Sequence, residues 1–569
     1  MDTTNNEKTI LGHPRGLVIL FFAEMWERFS YYGMRGLLIV YLTQHFLFSD
    51  ERSAVLYGAY TALVYVMTIV GGMLADRYLG ARKAVSFGAI LLVLGHFGMA
   101  FEGNGSTQVL EHNGTEYSVV LDGRGGDARQ MLSDGENLSY ITFSDNEMLI
   151  EDGAVFGLEN TIARDDISLR VETETFYLNV LYLSLALIIA GVGFLKANIS
   201  TIVGSLYGFG DTRRDSGFTI FYMGINLGAF LSSITCGILG IAYGWKYGFG
   251  LAGIGMALGL FVFLRYQSWL EGKAEPPSME ALKEKVFLFI DREMMCYLIG
   301  LGIIAVSMFL VMNPDLVGNI LLPLGILMLA ALIGYAVVSL QGEERGRMLA
   351  AIYFVLAQIP FWALFEQAGS SLNLFTARLV DREIFGWVVP GPVFQALNSG
   401  YIIIFAPLLA WLWIWLAKRN MNPSAPVKFA FGVAMAGLGF LALVAGMQGS
   451  GAEGLTPVFF IFAIYWIHTM GELMLSPVGL SAVTKLAPVK VVGMTMGAWF
   501  LYSGLSNYLA GVIARTTGAE TIGGQITNVA AAKASYIEVY TNVGYVALGV
   551  AAVMLLISPV IKKMMHGAD

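Results

Sequence analysis

FFAEMWERFSYYGMRGLLIVY, residues Phe21 to Tyr41, is apolar enough at both ends to enter a bilayer, yet Glu24, Glu27, Arg28 and Arg35 sit in its middle. Helical steps of three, four, seven and eleven residues from Glu24 put Glu27, Arg28, Tyr31 and Arg35 on one stripe, with Tyr32 at its margin. The opposite face suits lipid. An ionised side chain at mid-bilayer costs roughly 2.5–3.5 kcal/mol, so four on one stripe have to face partners or a wet cavity. The stripe therefore predicts a substrate or ion pathway.

Composition agrees with that class. Of 569 residues 56% are hydrophobic and 13% charged, mean hydropathy is +0.65, and apolar runs long enough to span recur along the chain. The first run is too long for the apolar part of a signal peptide, is charged at its centre and has no small-residue cleavage pattern after it, so it is expected in the mature protein. Cys236 and Cys296 both fall in apolar runs and read as two buried thiols, without a disulfide framework or metal cluster.

Spans are predicted near 16–44, 53–74, 83–103, 177–202, 217–240, 246–267, 293–312, 316–340, 346–372, 396–417, 427–447, 455–478, 491–513 and 541–561. Basic residues cluster after the even-numbered ones, among them Arg77, Arg82 and Lys83, Arg213 and Arg214, Lys418 and Arg419, and Lys562 and Lys563. The positive-inside rule then puts the even ends and both termini in the cytoplasm.

The segment 101–176 departs from this pattern. It holds 16 acidic residues against 4 basic ones, a net −12 in a chain of net −8. Short alternating runs at Tyr117, Ser139 and Ile167, separated by Asp-Gly and Asn-Gly pairs, predict hairpins. The topology places this β-rich module outside, read as a solvated acidic cap, with a partner- or cation-binding module as the alternative. Asn104, Asn113 and Asn137 head glycosylation-type triplets, but so does Asn198 inside a span. Glu271 to Lys285 reads as a cytoplasmic linker, followed by a plain hairpin of two spans over Asn313-Pro-Asp. The expected organisation is an N-terminal six-helix bundle (16–100 and 177–267), the insert (101–176), a linker (268–292), an extra helical hairpin (293–340) and a C-terminal six-helix bundle (346–562).

Six spans plus six, with Gly71-Gly-Met-Leu-Ala-Asp-Arg-Tyr-Leu-Gly-Ala-Arg-Lys83 after the second, resembles the major facilitator superfamily, an all-α membrane fold. In that loop Asp76 is placed to meet a helix N-terminus or Arg77, while Gly72 and Gly80 permit close approach and a tight turn. Glu24-Met-Trp-Glu-Arg-Phe-Ser-Tyr-Tyr-Gly33 and Phe221-Tyr-Met-Gly-Ile-Asn-Leu-Gly228 resemble signatures of the proton-coupled oligopeptide transporter family, prokaryotic type. Gly193-Phe-Leu-Lys-Ala-Asn198, Phe361-Trp-Ala-Leu-Phe-Glu-Gln367 and Gly471-Glu-Leu-Met-Leu-Ser-Pro477 are similar to further family patterns. The resemblance spans nearly the whole chain; Ala229 and the large insert depart from it.

The charges carry an argument of their own. The spans hold Glu24, Glu27, Glu366 and Glu472 against Arg28, Arg35 and Lys196. One acid is left over, and an unpaired acid taken out of water binds a proton, which suits a proton-coupled carrier. A dipeptide is a zwitterion and calls for one cationic and one anionic pole. By resemblance, Arg28, Lys196 and Tyr32 hold the peptide carboxylate, and Glu472, Asn226 and Asn398 hold the amino group. Resemblance also implies that Arg35 pairs with Glu366 and Lys196 with Glu472 when the outside is closed. Glu24, one turn from Arg28, and Glu27, next to it, are the expected proton carriers. Tyr31, Tyr65, Trp362, Phe365 and Trp499 are candidates for side-chain specificity, and Trp411, Trp413 and Trp415 read as an interfacial belt. His468, one turn before Glu472, either tunes it or simply packs. Gly400, Pro407 and Pro477 are expected to bend helices at gates.

These residues predict proton-coupled symport of di- and tripeptides by alternating access. The alternatives are a same-family carrier of another small anion or zwitterion, and a non-transporting peptide sensor. No nucleophile-and-base or metal-hydrolase motif points to an enzyme. The chain is expected in the inner (plasma) membrane as a monomer, surrounded by lipid, with protons as coupling ion, no other cofactor or metal, and no nucleic-acid partner.

Overall fold

The computed structural model describes residues 9–208 and 210–567. Sixteen α-helices run in chain order: α1 (Gly16–Gln44), α2 (Asp50–Leu74), α3 (Ala81–Ala100), α4 (Thr175–Ser205), α5 (Arg214–Ala242), α6 (Trp245–Tyr266), α7 (Met279–Lys283), α8 (Arg292–Met312), α9 (Pro314–Ser339), α10 (Gly342–Phe365), α11 (Ser371–Leu379), α12 (Ala396–Ala417), α13 (Ala425–Gly449), α14 (Phe459–Leu486), α15 (Val492–Arg515) and α16 (Val529–Met564). Apart from α7 and α11 each is long enough to cross a bilayer. Twelve of the long helices are also apolar enough. The two others are α1, which carries the charged stripe, and α15, whose Ser503, Ser506, Asn507 and tyrosines lower its hydropathy.

Helices α1 to α6 pack into one half and α10 to α16 into the other. The hairpin α8–α9 bridges them, α8 lying on α4 and α9 on α15. Since lipid is as apolar as leucine, helices associate here by close packing of small residues. A Cβ at Gly71 would lie 2.2 Å from the Gly193 carbonyl oxygen, so α2 meets α4 backbone to backbone. Gly72, which the sequence offered for this role, has only an ordinary neighbour at 3.7 Å. Gly80 does make the tight turn, at φ +72°, with Pro276 of the linker so near that a Cβ would meet its nitrogen at 2.5 Å. Asp76 and Arg77 are exposed and form no ion pair among the described residues; Arg82 pairs with Glu275 of the linker at 2.6 Å instead.

Between α3 and α4 stands a seven-stranded antiparallel sheet: β1 (Thr107–His112), β2 (Thr115–Asp122), β3 (Arg129–Ser133), β4 (Leu138–Phe143), β5 (Glu147–Ile150), β6 (Thr161–Ala163) and β7 (Ser168–Glu172). Its spatial order is β6-β5-β4-β3-β2-β1-β7. Asn113-Gly114, both at positive φ, form the two-residue turn between β1 and β2 that matches strand twist. The sheet is not simply a solvated cap: it lies on the helix ends of both halves, and Arg382 donates to both carboxylate oxygens of Asp127, at 2.8 and 2.9 Å.

The seam between the halves is shut at this sheet end. Gly58 of α2 and Gly511 of α15 touch, a Cβ at Gly58 falling 2.8 Å from the Gly511 Cα. Arg378 of α11 binds Asp50 of α2 at 2.7 Å, and Asn373 donates to the Gly36 carbonyl at 2.8 Å. Toward the opposite end, where α16 finishes beside the start of α10, Tyr222 and Met223 of α5 are about half exposed at 43% and 51%, and nothing lies within 4 Å of the Cβ positions of Gly493 and Gly497. The cleft between the halves thus opens away from the sheet.

Candidate functional site

On α1, Glu24, Glu27, Arg28 and Arg35 are buried, and each carboxylate or guanidinium finds a different answer to burial. Arg28 donates to both oxygens of Glu27, one bond at 2.7 Å, and lies 3.3 Å from one oxygen of Glu24. The other Glu24 oxygen is buried without a hydrogen bond among the described residues. Arg35 donates to Glu366, which caps the end of α10 where the helix tightens into a 3₁₀ turn over Glu366–Gly369. Its Nε donates to the Tyr57 hydroxyl at 2.6 Å. The Arg35–Glu366 pair joins the two halves and lies on the shut side of the seam.

The two remaining charges have no ionic partner among the described residues. Lys196 of α4 holds its ammonium 4.1 Å from the centre of the Tyr65 ring. That is a cation–π contact, which uses the quadrupole of the ring face. Glu472 of α14 accepts a hydrogen bond from Asn398 Nδ2 at 2.8 Å, and the same amide group lies 3.1 Å from the Thr469 hydroxyl. The Lys196–Glu472 pair that resemblance suggested is therefore absent in this state: a neutral amide and an aromatic face occupy the two groups.

A cavity of about 110 Å³ lies between the halves, lined by Tyr32, Arg35, Tyr65, Ala229, Ser233, Trp362, Phe365, Glu366, Gln395, Asn398, Ser399, Tyr465 and Glu472. Of the residues singled out from sequence, Tyr32, Arg35, Tyr65, Trp362, Phe365, Glu366, Asn398 and Glu472 are brought together here. Lys196 touches it through Tyr65, and the Glu24–Glu27–Arg28 cluster lies on the α1 face leading to it. Three candidates fall elsewhere. Tyr31 packs edge-to-face on Tyr32 with its ring 5.2 Å from the Arg28 guanidinium. Asn226 donates to the Tyr222 carbonyl of its own helix at 3.1 Å. Trp499 turns to α14, where a Cβ at Gly479 would lie 2.5 Å from its ring.

Ser233, Gln395, Ser399 and Tyr465 were not foreseen. For Tyr465 a signal existed: it precedes Glu472 by two helical turns and so shares its face. His468 Nε2 donates to the Ala436 carbonyl at 3.0 Å, and the ring packs between Phe365 and Phe440, which leaves it with a packing role. A larger depression of about 810 Å³ at the sheet end, lined by Glu102, Arg124 and Trp245 among others, shares no residue with the charged stripe. No group of three metal-ligating side chains occurs among the described residues.

The POT family profile matches residues 82–529. An uncharacterized transporter, YclF, of Bacillus subtilis is 32% identical over 99% of this chain and 97% of its own length. The peptide transporter YePEPT of Yersinia enterocolitica is 30% identical over 90% of each chain. Among solved structures, a variant of the peptide transporter POT in complex with alafosfalin superimposes with a TM-score of 0.74 at 31% identity, covering 99% of this chain and 98% of that one.

Proposed function

This chain belongs to the POT family, and on that footing we propose that it is a proton-coupled symporter of di- and tripeptides working by alternating access. One observation carries the reading. Every buried charge on α1 is paired, Arg35 with Glu366 at the end of α10, whereas among the described residues Lys196 in one half and Glu472 in the other are matched only by an aromatic ring and an amide. A peptide's carboxylate answers the first and its ammonium the second, so one small zwitterion satisfies both halves at once. Arg28 reinforces the cationic pole, Asn398 orients the anionic one, and Tyr32, Tyr65 and Trp362 offer aromatic walls to side chains.

Coupling follows from the Arg35–Glu366 bridge. It closes the sheet end, and a proton on Glu366 cancels the charge that Arg35 requires. That end can then part; once a peptide joins the two halves and Glu366 gives up its proton, the bridge re-forms there and the cleft opens opposite. Of the two acids beside Arg28, Glu24, with one oxygen lacking a hydrogen bond among the described residues, is the readier proton store. A membrane potential adds roughly 2.3 kcal/mol per charge per 100 mV to inward proton flow. In this reading the protein is a monomer in the inner (plasma) membrane, with both termini in the cytoplasm and the sheet outside; positive charge after the even-numbered spans supports that orientation.

The test is uptake of a labelled dipeptide by liposomes holding the purified protein. Accumulation driven by an inward proton gradient, abolished by a protonophore and outcompeted by di- and tripeptides but not by free amino acids, is the expected result. Uptake indifferent to the protonophore would exclude coupling.

A further inference from the structure

The sheet takes no part in the site, yet it touches both halves. Its two covalent joints run to α3 and α4 in the N-terminal half, and Gln44 at the end of α1 grips it by donating to the Gly125 carbonyl at 2.7 Å and accepting from the Gly125 amide at 2.8 Å. The same carbonyl also accepts from Gln525 of the C-terminal half at 3.1 Å. One peptide group is thus held from both sides of the seam.

The contacts with the C-terminal half are of three kinds. Asp127 binds Arg382, a guanidinium only 5% exposed. Gly126 lies so close on α11 that a Cβ would fall 1.6 Å from the Ala377 carbonyl oxygen. The turn between α15 and α16 inserts Ile522 into the sheet's own apolar cluster beside Leu110 and Leu132, while Gln130 donates to the Ile522 carbonyl and Asn528 donates to Asp145 at 2.7 Å.

We infer that the insert is a strap laid across the seam, which holds the sheet end shut and has to release the C-terminal half each time that end opens. The inference rests on the alternating-access reading above. The joints to α3 and α4 are covalent, so parting occurs at the contacts with the C-terminal half, among them those of Gly125, Gly126, Asp127, Asp145 and Ile522 and the Arg164–Glu520 ion pair. These are spread over a rigid sheet, an ion pair and a buried side chain, and they separate together rather than one by one. The strap therefore adds to the Arg35–Glu366 and Asp50–Arg378 contacts in favouring the state seen here, open away from the sheet.

Two measurements decide this. Asp145→Cys with Asn528→Cys places two thiols where side chains already touch, while Cys236 and Cys296 are buried and stay in the control. Oxidation of the pair is expected to lower dipeptide uptake roughly tenfold or more, with recovery on reduction; unchanged uptake with the cross-link verified overturns the strap. In the second, spin labels at Glu51 and Thr516, exposed on either side of the seam, report its width without needing transport. Asp127→Ala with Gln130→Ala is expected to enlarge the long-distance population several-fold, and an unaltered distribution overturns the inference. Absence of uptake by the unmodified chain would count against the transport reading instead, and the distances would still judge the strap.

Discussion

Glu472 and Lys196 have no ionic partner among the described residues, and substitution separates their roles. A hydrogen bond to a charged group contributes about 1.5–3 kcal/mol, or roughly tenfold to a hundredfold in affinity. Glu472→Gln and Lys196→Ala are each expected to weaken dipeptide binding by that range and to abolish gradient-driven uptake, with the protein still inserted; wild-type uptake rates in either variant would contradict the assignment. Tyr57→Phe removes a bond to Arg35 and leaves Glu366 in place. It is expected to cost about 1 kcal/mol of the closed sheet end, visible as a wider spin-label distribution across the seam. The charges were legible in sequence because ionised residues in an apolar run have little reason to exist except at a site. Their pairing was not: helical spacing favours Glu24, one turn before Arg28, over the adjacent Glu27, yet Glu27 takes both hydrogen bonds, and nothing local distinguishes Asn398 from Lys196 as the neighbour of Glu472. Trp499 shows the same limit, since an indole on a cavity-facing helix can turn either way.

At the level of helices, Gly71 and Gly72 make a discriminating pair. Gly71→Ala drives a methyl group to within 2.2 Å of the Gly193 oxygen, whereas at Gly72 it meets Ala197 at an ordinary 3.7 Å. Overpacking costs about 1–3 kcal/mol, so Gly71→Ala is expected to lower the melting temperature in detergent by several degrees and Gly72→Ala to leave it unchanged. Adjacent glycines look alike in sequence, and only the crossing of α2 and α4 tells them apart. The long helices were readable because apolar length is a direct requirement of the bilayer. The end of α10 was not: the predicted span 346–372 runs through the 3₁₀ turn at Glu366–Gly369. The apolar pattern continues there while the helix changes pitch to present Glu366 to Arg35.

Over the whole molecule, the two halves and the bridging hairpin follow from the order of spans, whereas the docking of the insert does not. Its anchors, Gln44, Arg382 and Ile522, are single residues in separate loops or helix ends, and each looks unremarkable in its own neighbourhood. An acidic composition suggested a solvated cap because it records charge and not where charge is spent; Asp127 is met by a buried arginine from the other half. The central claim is that the halves share one zwitterion between Lys196 and Glu472, and a binding cycle addresses it most directly. Calorimetric titration of the purified protein with alanyl-alanine, its N-acetyl form and its C-terminal amide should show both blocked peptides binding roughly tenfold or more weakly to the unmodified chain. Lys196→Ala should then no longer distinguish the amide from the free peptide, nor Glu472→Gln the N-acetyl form. Blocked and free peptides binding alike, or both variants keeping full discrimination, would contradict the account.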